Sequence, residues 1–478
     1  MKPAPKWTLP LLVMTAMAAL SACTTLAPRR YEEPSAPQVS HWQMADTAAQ
    51  PSTPFWQGFD DRELNRLIDA AVQHNNDIRT ATLNIRQARL AADLERSDLF
   101  AHPSLSGSAS RSRNLDENTS SRSYGLSAGL NYEVDLWGRV SDQYDSALLE
   151  VTAREDDRLT TMLSLVATTA QLYWQGGYLR EILALDAQTI DYAEQSLAKA
   201  EAQFAAGAVS KIELLSNRQD VLTARNILTG HQNNWRQNRH ALALLLDQEP
   251  QNDVAQTRSI AALALPGIAA GIPADVLSRR PDLRAAERRL RQSFIAMEIT
   301  RKSVYPTLNL TGSLGFSSTR LRDLLDNPLA TLAADLALPL IDWNSSRLTI
   351  EQAQTDYELQ AISFRQTLLT ALQEVEDALS ARRQCLEQEQ RLKQALRLAQ
   401  DSAALYEQRY RCGETAEQTW LDSQEQQRSA YRSWLENRLA LLNNTMTVYQ
   451  TLGGPWPSTK EETTQSNVRE RPVATGDQ

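Results

Sequence analysis

Three kinds of residue pattern could indicate catalysis or energy coupling, and the chain meets the requirements of none of them. Gly125-Leu126-Ser127-Ala128-Gly129 has the spacing of a nucleophile elbow, which needs a sharp turn from a strand into a helix. Ser127 instead falls inside an alternating strand pattern. The five histidines show no metal-ligand spacing with one another or with cysteine. No glycine loop followed by lysine is present to hold phosphates. The sequence therefore predicts no enzyme and no cofactor or metal, and the chain has no phosphate-binding motif through which it could supply energy itself.

Cys23 indicates covalent lipid chemistry. Two lysines precede an apolar run at residues 9–20, which is too short to span a membrane and has the form of an export signal. The run ends in Leu20-Ser21-Ala22-Cys23, which resembles the bacterial lipobox, where cleavage removes residues 1–22 and the sulfur takes a diacylglycerol. Thr24 stands where an aspartate would retain such a lipoprotein at the inner membrane. We therefore expect an anchor in the outer membrane, and an ordinary signal with a chance cysteine is the alternative.

The two remaining cysteines do not form a disulfide framework. Cys385 and Cys412 lie 27 residues apart in one predicted helix, which separates them by about 40 Å. Bridged cysteines have Cα atoms within about 7 Å of each other. The sequence therefore predicts two free thiols.

Composition excludes several broad classes. The chain has 478 residues, 42% hydrophobic and 22% charged, with only 17 glycines and 19 prolines, which excludes collagen-like and wholly disordered proteins. Its net charge of −9 gives no basic surface for nucleic acid. The mean hydropathy is −0.44, and no run of 18 apolar residues follows the signal, which excludes a helical membrane protein.

The chain is a tandem duplication. Four anchors recur in the same order at offsets of 203 to 206 residues, which chance does not explain. The anchors are Asn76–Arg79 with Pro281–Arg284, Pro103–Leu105 with Pro306–Leu308, Leu130 and Trp137 with Leu336 and Trp343, and Gln203–Gly207 with Arg409–Gly413. We expect repeats at 62–260 and 261–454, an extended lipid-anchored segment at 23–61, and a disordered tail at 455–478.

Each repeat follows one plan of a moderate helix, two strands and a long helical hairpin. The moderate helices are expected at 62–100 and 272–303, and the long pairs at 138–204 with 210–247 and at 345–410 with 416–451. Apolar residues recur at spacings of three and four along the long helices, as in packed helices. A helix of about 65 residues is about 98 Å long, so these helices span a distance.

The strands indicate a membrane. Four segments of about 9–11 residues are expected at 103–111, 124–134, 308–316 and 332–340, and they alternate apolar and polar residues as membrane barrel strands do. A soluble sheet with one buried face is the alternative. Four strands cannot close a barrel in lipid, so chains must share one. Two chains would give eight strands and a filled barrel, whereas three would give twelve and a lumen.

These features together resemble the TolC-like outer membrane factors, the efflux lipoproteins of the outer membrane. The resemblance covers residues 20 to 456. The motifs that carry it are Trp56 with Phe59–Leu64, Ile272-Pro273 through Leu277–Glu287, Tyr305–Leu308 and Leu338–Trp343. It implies a mainly α fold with membrane β structure: a homotrimer whose 12-stranded barrel continues into a periplasmic barrel of twelve helices. It also implies a passive exit duct for drugs or other toxic small molecules, with a periplasmic adaptor and an inner-membrane transporter as partners.

The resemblance also implies a gate and contact tips. The family pattern after the last helical turn is an apolar residue, an aspartate four positions on, and then an arginine three positions later. Gln418, Asp422 and Glu425 fall on these positions, so the chain departs at two of the three. A ring of six carboxylates around a threefold axis would favour cations. The adaptor-contacting tips would be the turns that contain Gly207 with Val209 and Gly413 with Thr415.

A different class of function stays open. A lipid-anchored periplasmic scaffold or adaptor with long hairpins and no pore would share the helices and the anchor. It would have no use for an apolar face on the strands, which is the feature that separates the two hypotheses.

Overall fold

The computed structural model describes residues 31, 55–116, 118–252, 258–268, 279–337 and 343–454. The predicted signal peptide, Cys23, most of the segment at 23–61 and the tail at 455–478 lie outside these residues. From Phe55 onward the described residues belong to one compact unit.

The described residues form two α-helices at 62–97, where the sequence predicted one helix at 62–100. A short 3-10 helix at Phe55–Phe59 leads into α1 at Arg62–His74, and α2 follows at Asn76–Ser97. Asn75 interrupts the helix because its backbone is extended (φ −61°, ψ 134°) and its side chain accepts hydrogen bonds from the amides of Asp77 and Ile78. An asparagine that caps the next helix therefore ends the first one.

The counterpart in the second repeat is a single helix, α5, at Pro281–Lys302. Pro281 occupies its first turn, where the missing N–H costs nothing, and Asp282 lies at the positive end of the helix dipole. The first part of the predicted span, 272–278, lies outside the described residues.

The long hairpins match the sequence prediction within two residues at each described end. They consist of α3 at Arg139–Ala205, α4 at Lys211–Leu245, α6 at Trp343–Arg411 and α7 at Glu417–Thr451. The 67 residues of α3 give a length of about 100 Å.

Glycine ends the longer helix of each hairpin. Gly207 has φ 74° and Gly413 has φ 73°, values that a side chain disfavours. The next amide reaches back to the helix, from Ala208 to the carbonyl of Gln203 at 2.8 Å and from Glu414 to that of Arg409 at 2.9 Å. These are the bonds of a Schellman cap.

One antiparallel sheet of four strands joins the repeats, in the order β1-β2-β3-β4. The strands are β1 at His102–Arg113, β2 at Ser120–Val134, β3 at Thr307–Ser318 and β4 at Pro328–Ala337. The β4 strand begins four residues before the predicted start at 332, and residues 338–342 lie outside the described part.

The register confirms the predicted alternation. In the β2–β3 pair Leu126 is opposite Phe316 and Leu130 is opposite Gly312, and in the β1–β2 pair Leu126 is opposite Gly107. Since side chains alternate between faces, one face carries the aromatics of the sheet and every strand leucine except Leu329, which is opposite Gly315 on the other face. The other face carries mostly serine, threonine, asparagine and glycine, and Ser106 and Ser127 share a hydrogen bond of 2.7 Å across it.

The hydrophobic core lies along the middle of the long helices, far from the sheet. Tyr173 and Trp174 of α3 are almost fully buried there, together with apolar residues of α1, α6 and α7. The phenol of Tyr173 donates a 2.9 Å hydrogen bond to the buried carboxylate of Asp61, which also caps α1. Within the described part of the chain, no helix combines the length and apolar character that a membrane span requires.

Candidate functional site

The three residues predicted to form a gate lie in the first three turns of α7. Gln418 and Asp422 are one helical turn apart and exposed, and the Gln418 amide donates a 2.8 Å hydrogen bond to Asp422 Oδ1. Glu425 lies one turn further along the helix. The sequence prediction therefore placed all three on one short stretch near the hairpin turn.

Tyr192 of α3 completes this cluster, and sequence reasoning missed it. Its phenol donates a 2.8 Å hydrogen bond to Asp422 Oδ1 and accepts one of 3.2 Å from Gln418 Nε2. Burial raises the pKa of Tyr192, and the hydrogen bond to Asp422 and the charge of that carboxylate raise it further. The tyrosine therefore stays protonated as a donor. The two positions lie 230 residues apart, and no motif in the sequence pairs them.

Glu425 is not a free carboxylate. Its Oε2 lies 2.7 Å from Arg428 Nη2, and the side chain of Arg428 is only 11% exposed. The same guanidinium lies over the ring of Tyr192, 5.2 Å from its centroid. Arg428 therefore neutralises Glu425 and holds the face of Tyr192, which leaves Asp422 as the acidic group of this cluster.

Further polar contacts join α3 to α7 on both sides of the cluster. Toward the hairpin turns, Lys199 Nζ lies 3.6 Å from Glu417. Toward the core, the phenol of Tyr431 donates a 2.7 Å hydrogen bond to Glu181, and Arg432 Nη2 lies 3.4 Å from the buried Asp186. Tyr192 with Gln418 and Asp422 thus belongs to a column of polar links between the two hairpins.

A cavity of about 330 Å³ adjoins the cluster. Tyr192, Gln195 and Asp191 line it from α3, and Gln424 and Arg428 line it from α7. The seam between the helices is therefore mostly polar and incompletely packed here, and the buried Leu421 is the apolar residue that lines it.

The predicted contact tips lie at the ends of the two hairpins. Gly207 and Gly413 are exposed, and a Cβ added to either would meet nothing within 4 Å. Val209 and Thr415 are half-buried. Ile212, in the first turn of α4, is 80% exposed.

Arg280 belongs to the most specific sequence motif, at 277–287, and it holds helices together. Arg280 is 8% exposed, and it donates to Asp282, to Glu374 of α6 and to the backbone carbonyls of Ala371 and Thr451. It therefore ties the start of α5 to α6 and to the end of α7.

The same helix also binds α3 through a buried carboxylate. Asp156 is 2% exposed and pairs with Arg284 at 2.7 Å and with Arg288. Burial raises the pKa of Asp156, and the two guanidiniums offset part of that rise. This network fixes α5 along the first third of α3, nearest the sheet.

Ser127 does not lie in a nucleophile elbow, and Cys385 and Cys412 do not form a disulfide. Ser127 lies in the middle of β2, which continues for seven residues to Val134, so the strand-to-helix turn of an elbow is missing. Cys385 is buried and Cys412 is exposed, and both are free. Within the described ranges, no group of three or more potential ligands is placed to hold a metal ion.

Comparison with known proteins gives consistent matches over nearly the whole chain. The family model for outer membrane efflux proteins matches residues 67–248 and 272–454. A probable efflux pump outer membrane protein of Pseudomonas putida, TtgC, is 30% identical over 91% of this chain and 93% of its own length. OpmQ of the same species, a pyoverdine export outer membrane protein, is 29% identical over 85% and 89%.

Solved structures show the same likeness. The MtrE outer membrane channel of Neisseria gonorrhoeae, crystallised in its open state, has a TM-score of 0.81 and 26% identity, covering 89% of this chain and 98% of that one. A membrane protein from Pseudomonas aeruginosa has a TM-score of 0.78 and 28% identity, covering 90% and 100%.

Proposed function

Because the chain belongs to the outer membrane efflux protein family, we propose that it is the exit duct of a tripartite efflux pump. It would carry drugs or other toxic small molecules passively across the periplasm and the outer membrane. The observation that carries this proposal is a four-stranded sheet with one continuous apolar face, joined directly to helices of about 100 Å. The sheet suits a bilayer, and the helices suit the aqueous space beside it.

The proposal includes a homotrimer. The β1 and β4 strands are the edges of the sheet, and every residue of β1 is exposed. Open edges are not tolerated in lipid, so each β1 must pair with the β4 of another copy. Three copies would close a barrel of twelve strands. Exposed leucines and isoleucines along α4 and α6 would be buried between the same subunits.

The cluster around Tyr192 is proposed as the gate. Asp422 and Gln418 approach it from α7 and Tyr192 from α3, so the cluster links the two hairpins close to their turns. Three copies around an axis would narrow the duct there, and the three Asp422 carboxylates would favour cations over anions. Opening would separate α7 from α3 in each chain.

The partners follow from the position of the tips. The turns with Gly207, Val209, Gly413 and Thr415 lie at the end farthest from the sheet, where a periplasmic adaptor and an inner-membrane transporter would meet the duct. The export signal and Cys23 would supply a lipid anchor in the outer membrane. The transporter would provide the energy and most of the choice of substrate.

A pair of adjacent substitutions tests the membrane assignment. Leu314→Arg puts a charge on the apolar face of β3, which costs about 2–4 kcal/mol near the middle of a bilayer. Ser313→Arg, one residue earlier, puts the same charge on the polar face. We expect the first variant to lose trimers and conductance in planar bilayers, and the second to insert and conduct with altered ion selectivity.

The competing scaffold makes the opposite prediction. A purified wild-type chain that stays monomeric in detergent and gives no conductance steps would refute the duct. A Leu314→Arg variant that inserts as well as Ser313→Arg would refute the lipid contact of this face.

A further inference from the structure

We propose that Arg111, Arg122 and Arg320 form a binding site for phosphorylated lipid head groups at the border of the apolar sheet face. The inference rests on the proposed function, in which this face contacts lipid. It adds a specific site at the end of the sheet away from the helices.

The strand register brings two arginines together on the apolar face. Arg111 of β1 is directly opposite Arg122 of β2. The next pair on the same face toward the helices is Ala109 with Tyr124, so the arginines directly follow the apolar residues. Like charges placed opposite each other destabilise a strand pair unless an anion lies between them.

A third arginine continues the row. In the β2–β3 pair, Tyr124 is opposite Ser318, where β3 ends, and Arg320 follows two residues later at the same end of the sheet. The backbone at Arg320 is extended (φ −128°, ψ 130°), and the residue is exposed. Three neighbouring chain segments therefore bring one guanidinium each to the same border.

Among the described residues, no acidic side chain pairs with these guanidiniums. Within the described part of the chain, no hydrogen bond or ion pair is formed by the side chain of Arg111, Arg122 or Arg320. Two other arginines nearby do have partners, since Arg113 donates to Asn118 and Arg322 pairs with Asp323 at 3.1 Å. Within the described residues, the three arginines of the row can therefore bind an anion, whereas Arg113 and Arg322 already have partners.

The position of the row matches a lipid interface. Tyr132 of β2 lies near the helical end of the sheet, ten residues from Arg122, which is about 34 Å along the strand. At a strand tilt of about 40°, the height is about 26 Å, close to the apolar band of about 25 Å in membrane barrels. Trp137 and Tyr305, whose rings are 5.1 Å apart, are two further aromatic residues at the border of the apolar band that faces the helices. The arginines mark the opposite border.

The occupant is a lipid phosphate and not a free phosphate ion. One arginine guanidinium can donate two parallel hydrogen bonds to a phosphate group, which makes arginine well suited to bind lipid phosphates. The adjoining part of the same face, with Tyr124, Leu126 and Phe316, offers a surface for the acyl chains of the same molecule. A free ion would gain only the charge contact, which water and salt weaken at an exposed site.

The test compares an arginine pair with a matched pair elsewhere. Full-length protein is placed in nanodiscs that contain lipid A with its phosphates or lipid A stripped of them, and retained lipid is measured by native mass spectrometry. R111Q/R122Q should bind phosphorylated lipid A about 30-fold more weakly, the effect expected of two basic residues at an anionic surface. R86Q/R365Q, which removes two exposed arginines from α2 and α6, should bind it like the wild type.

Three outcomes would overturn the site: equal retention by R111Q/R122Q and the wild type, equal retention of lipid A without phosphates, or complete displacement of the lipid by inorganic phosphate. Conductance is recorded separately in planar bilayers of the same lipid composition. A wild-type protein that conducts while any of these outcomes holds would retain the proposed function and lose only this inference. A wild-type protein that neither trimerises nor conducts would refute the proposed function itself.

Discussion

Removing a single hydroxyl should unlock the proposed gate. Tyr192→Phe deletes the donor to Asp422 at 2.8 Å and the acceptor for Gln418 at 3.2 Å, and it keeps the ring that Arg428 covers. The substitution therefore removes the polar link between α3 and α7 with little change in packing. We expect the closed state to lose stability relative to the open state.

The size of the effect follows from the chemistry of the bond. A hydrogen bond to a charged group contributes about 1.5–3 kcal/mol. Asp422 is exposed, which reduces the contribution to about 1 kcal/mol. If three subunits open together, the total is about 3 kcal/mol, or a change of about 100-fold in the ratio of open to closed channels.

Single-channel recording in planar bilayers measures this ratio directly. The wild type should show rare openings, and Tyr192→Phe should show frequent or persistent ones at the same unit conductance. Tyr144→Phe removes a hydroxyl from the same helix, 48 residues closer to the sheet, and should behave like the wild type. Asp422→Asn should fall between wild type and Tyr192→Phe, because a neutral amide still accepts a weaker hydrogen bond.

One result would refute the reasoning. If Tyr192→Phe and Tyr144→Phe open equally rarely, and thermal unfolding shows both variants folded, the link between α3 and α7 does not hold the duct closed. The constriction would then have to lie elsewhere along the helices.

Three further predictions concern stability. Gly177→Ala should lower the melting temperature, because the added Cβ would lie 2.6 Å from the carbonyl oxygen of Arg258. As its control, Gly230→Ala places a Cβ that meets nothing within 4 Å and should stabilise α4 by about 1 kcal/mol. Asp156→Asn should lower the free energy of unfolding in denaturant titrations by about 2 kcal/mol, because it leaves two half-buried arginines without their counter-charge. Burial and the nearby Glu436 raise the pKa of Tyr178 to about 12, so its contribution to stability is complete below pH 10 and is lost as the pH rises to 12. Melting curves should therefore show a steeper loss over that range in wild type than in Tyr178→Phe, and equal slopes would contradict the assignment.

The sequence predicted the fold well because its strongest signals are local. The helical spacing of apolar residues persists over dozens of residues, and glycines mark the hairpin turns at 207 and 413. The strand alternation set the faces of the sheet correctly, since a shift of one residue would have reversed every side chain. The duplication helped, because each repeat supported the assignment of the other.

The parts that escaped prediction depend on single contacts. One asparagine, Asn75, divides the first helix, and a helical pattern on both sides hides it. Glu425 was predicted to join Asp422 in a ring of carboxylates, and its ion pair with Arg428, one turn later, was not foreseen. Tyr192 and Asp422 meet only through the packing of α3 on α7. Periodicity carries no information about such pairs, because they join different elements.

The duplication also indicates which contact between helices separates when the proposed duct opens. At the offset of 206 residues, Tyr192 corresponds to Leu398 and Asp422 to Ser216, so the repeat-related contact would join α6 to α4. Leu398 is 62% exposed in the chain, and Leu215 beside Ser216 is 51% exposed. In the proposed trimer this second contact lies between subunits and is apolar, whereas the contact within each chain is polar.

Apolar surface is costly to expose to water, and a polar contact can exchange its hydrogen bonds for water at small cost. The subunits should therefore stay together near the tips while α7 leaves α3 within each chain. A disulfide that replaces Tyr192 and Asp422, in a Cys412→Ser background, should lock the duct closed until a reductant is added. Openings that persist in the oxidised form would place the moving contact between subunits instead.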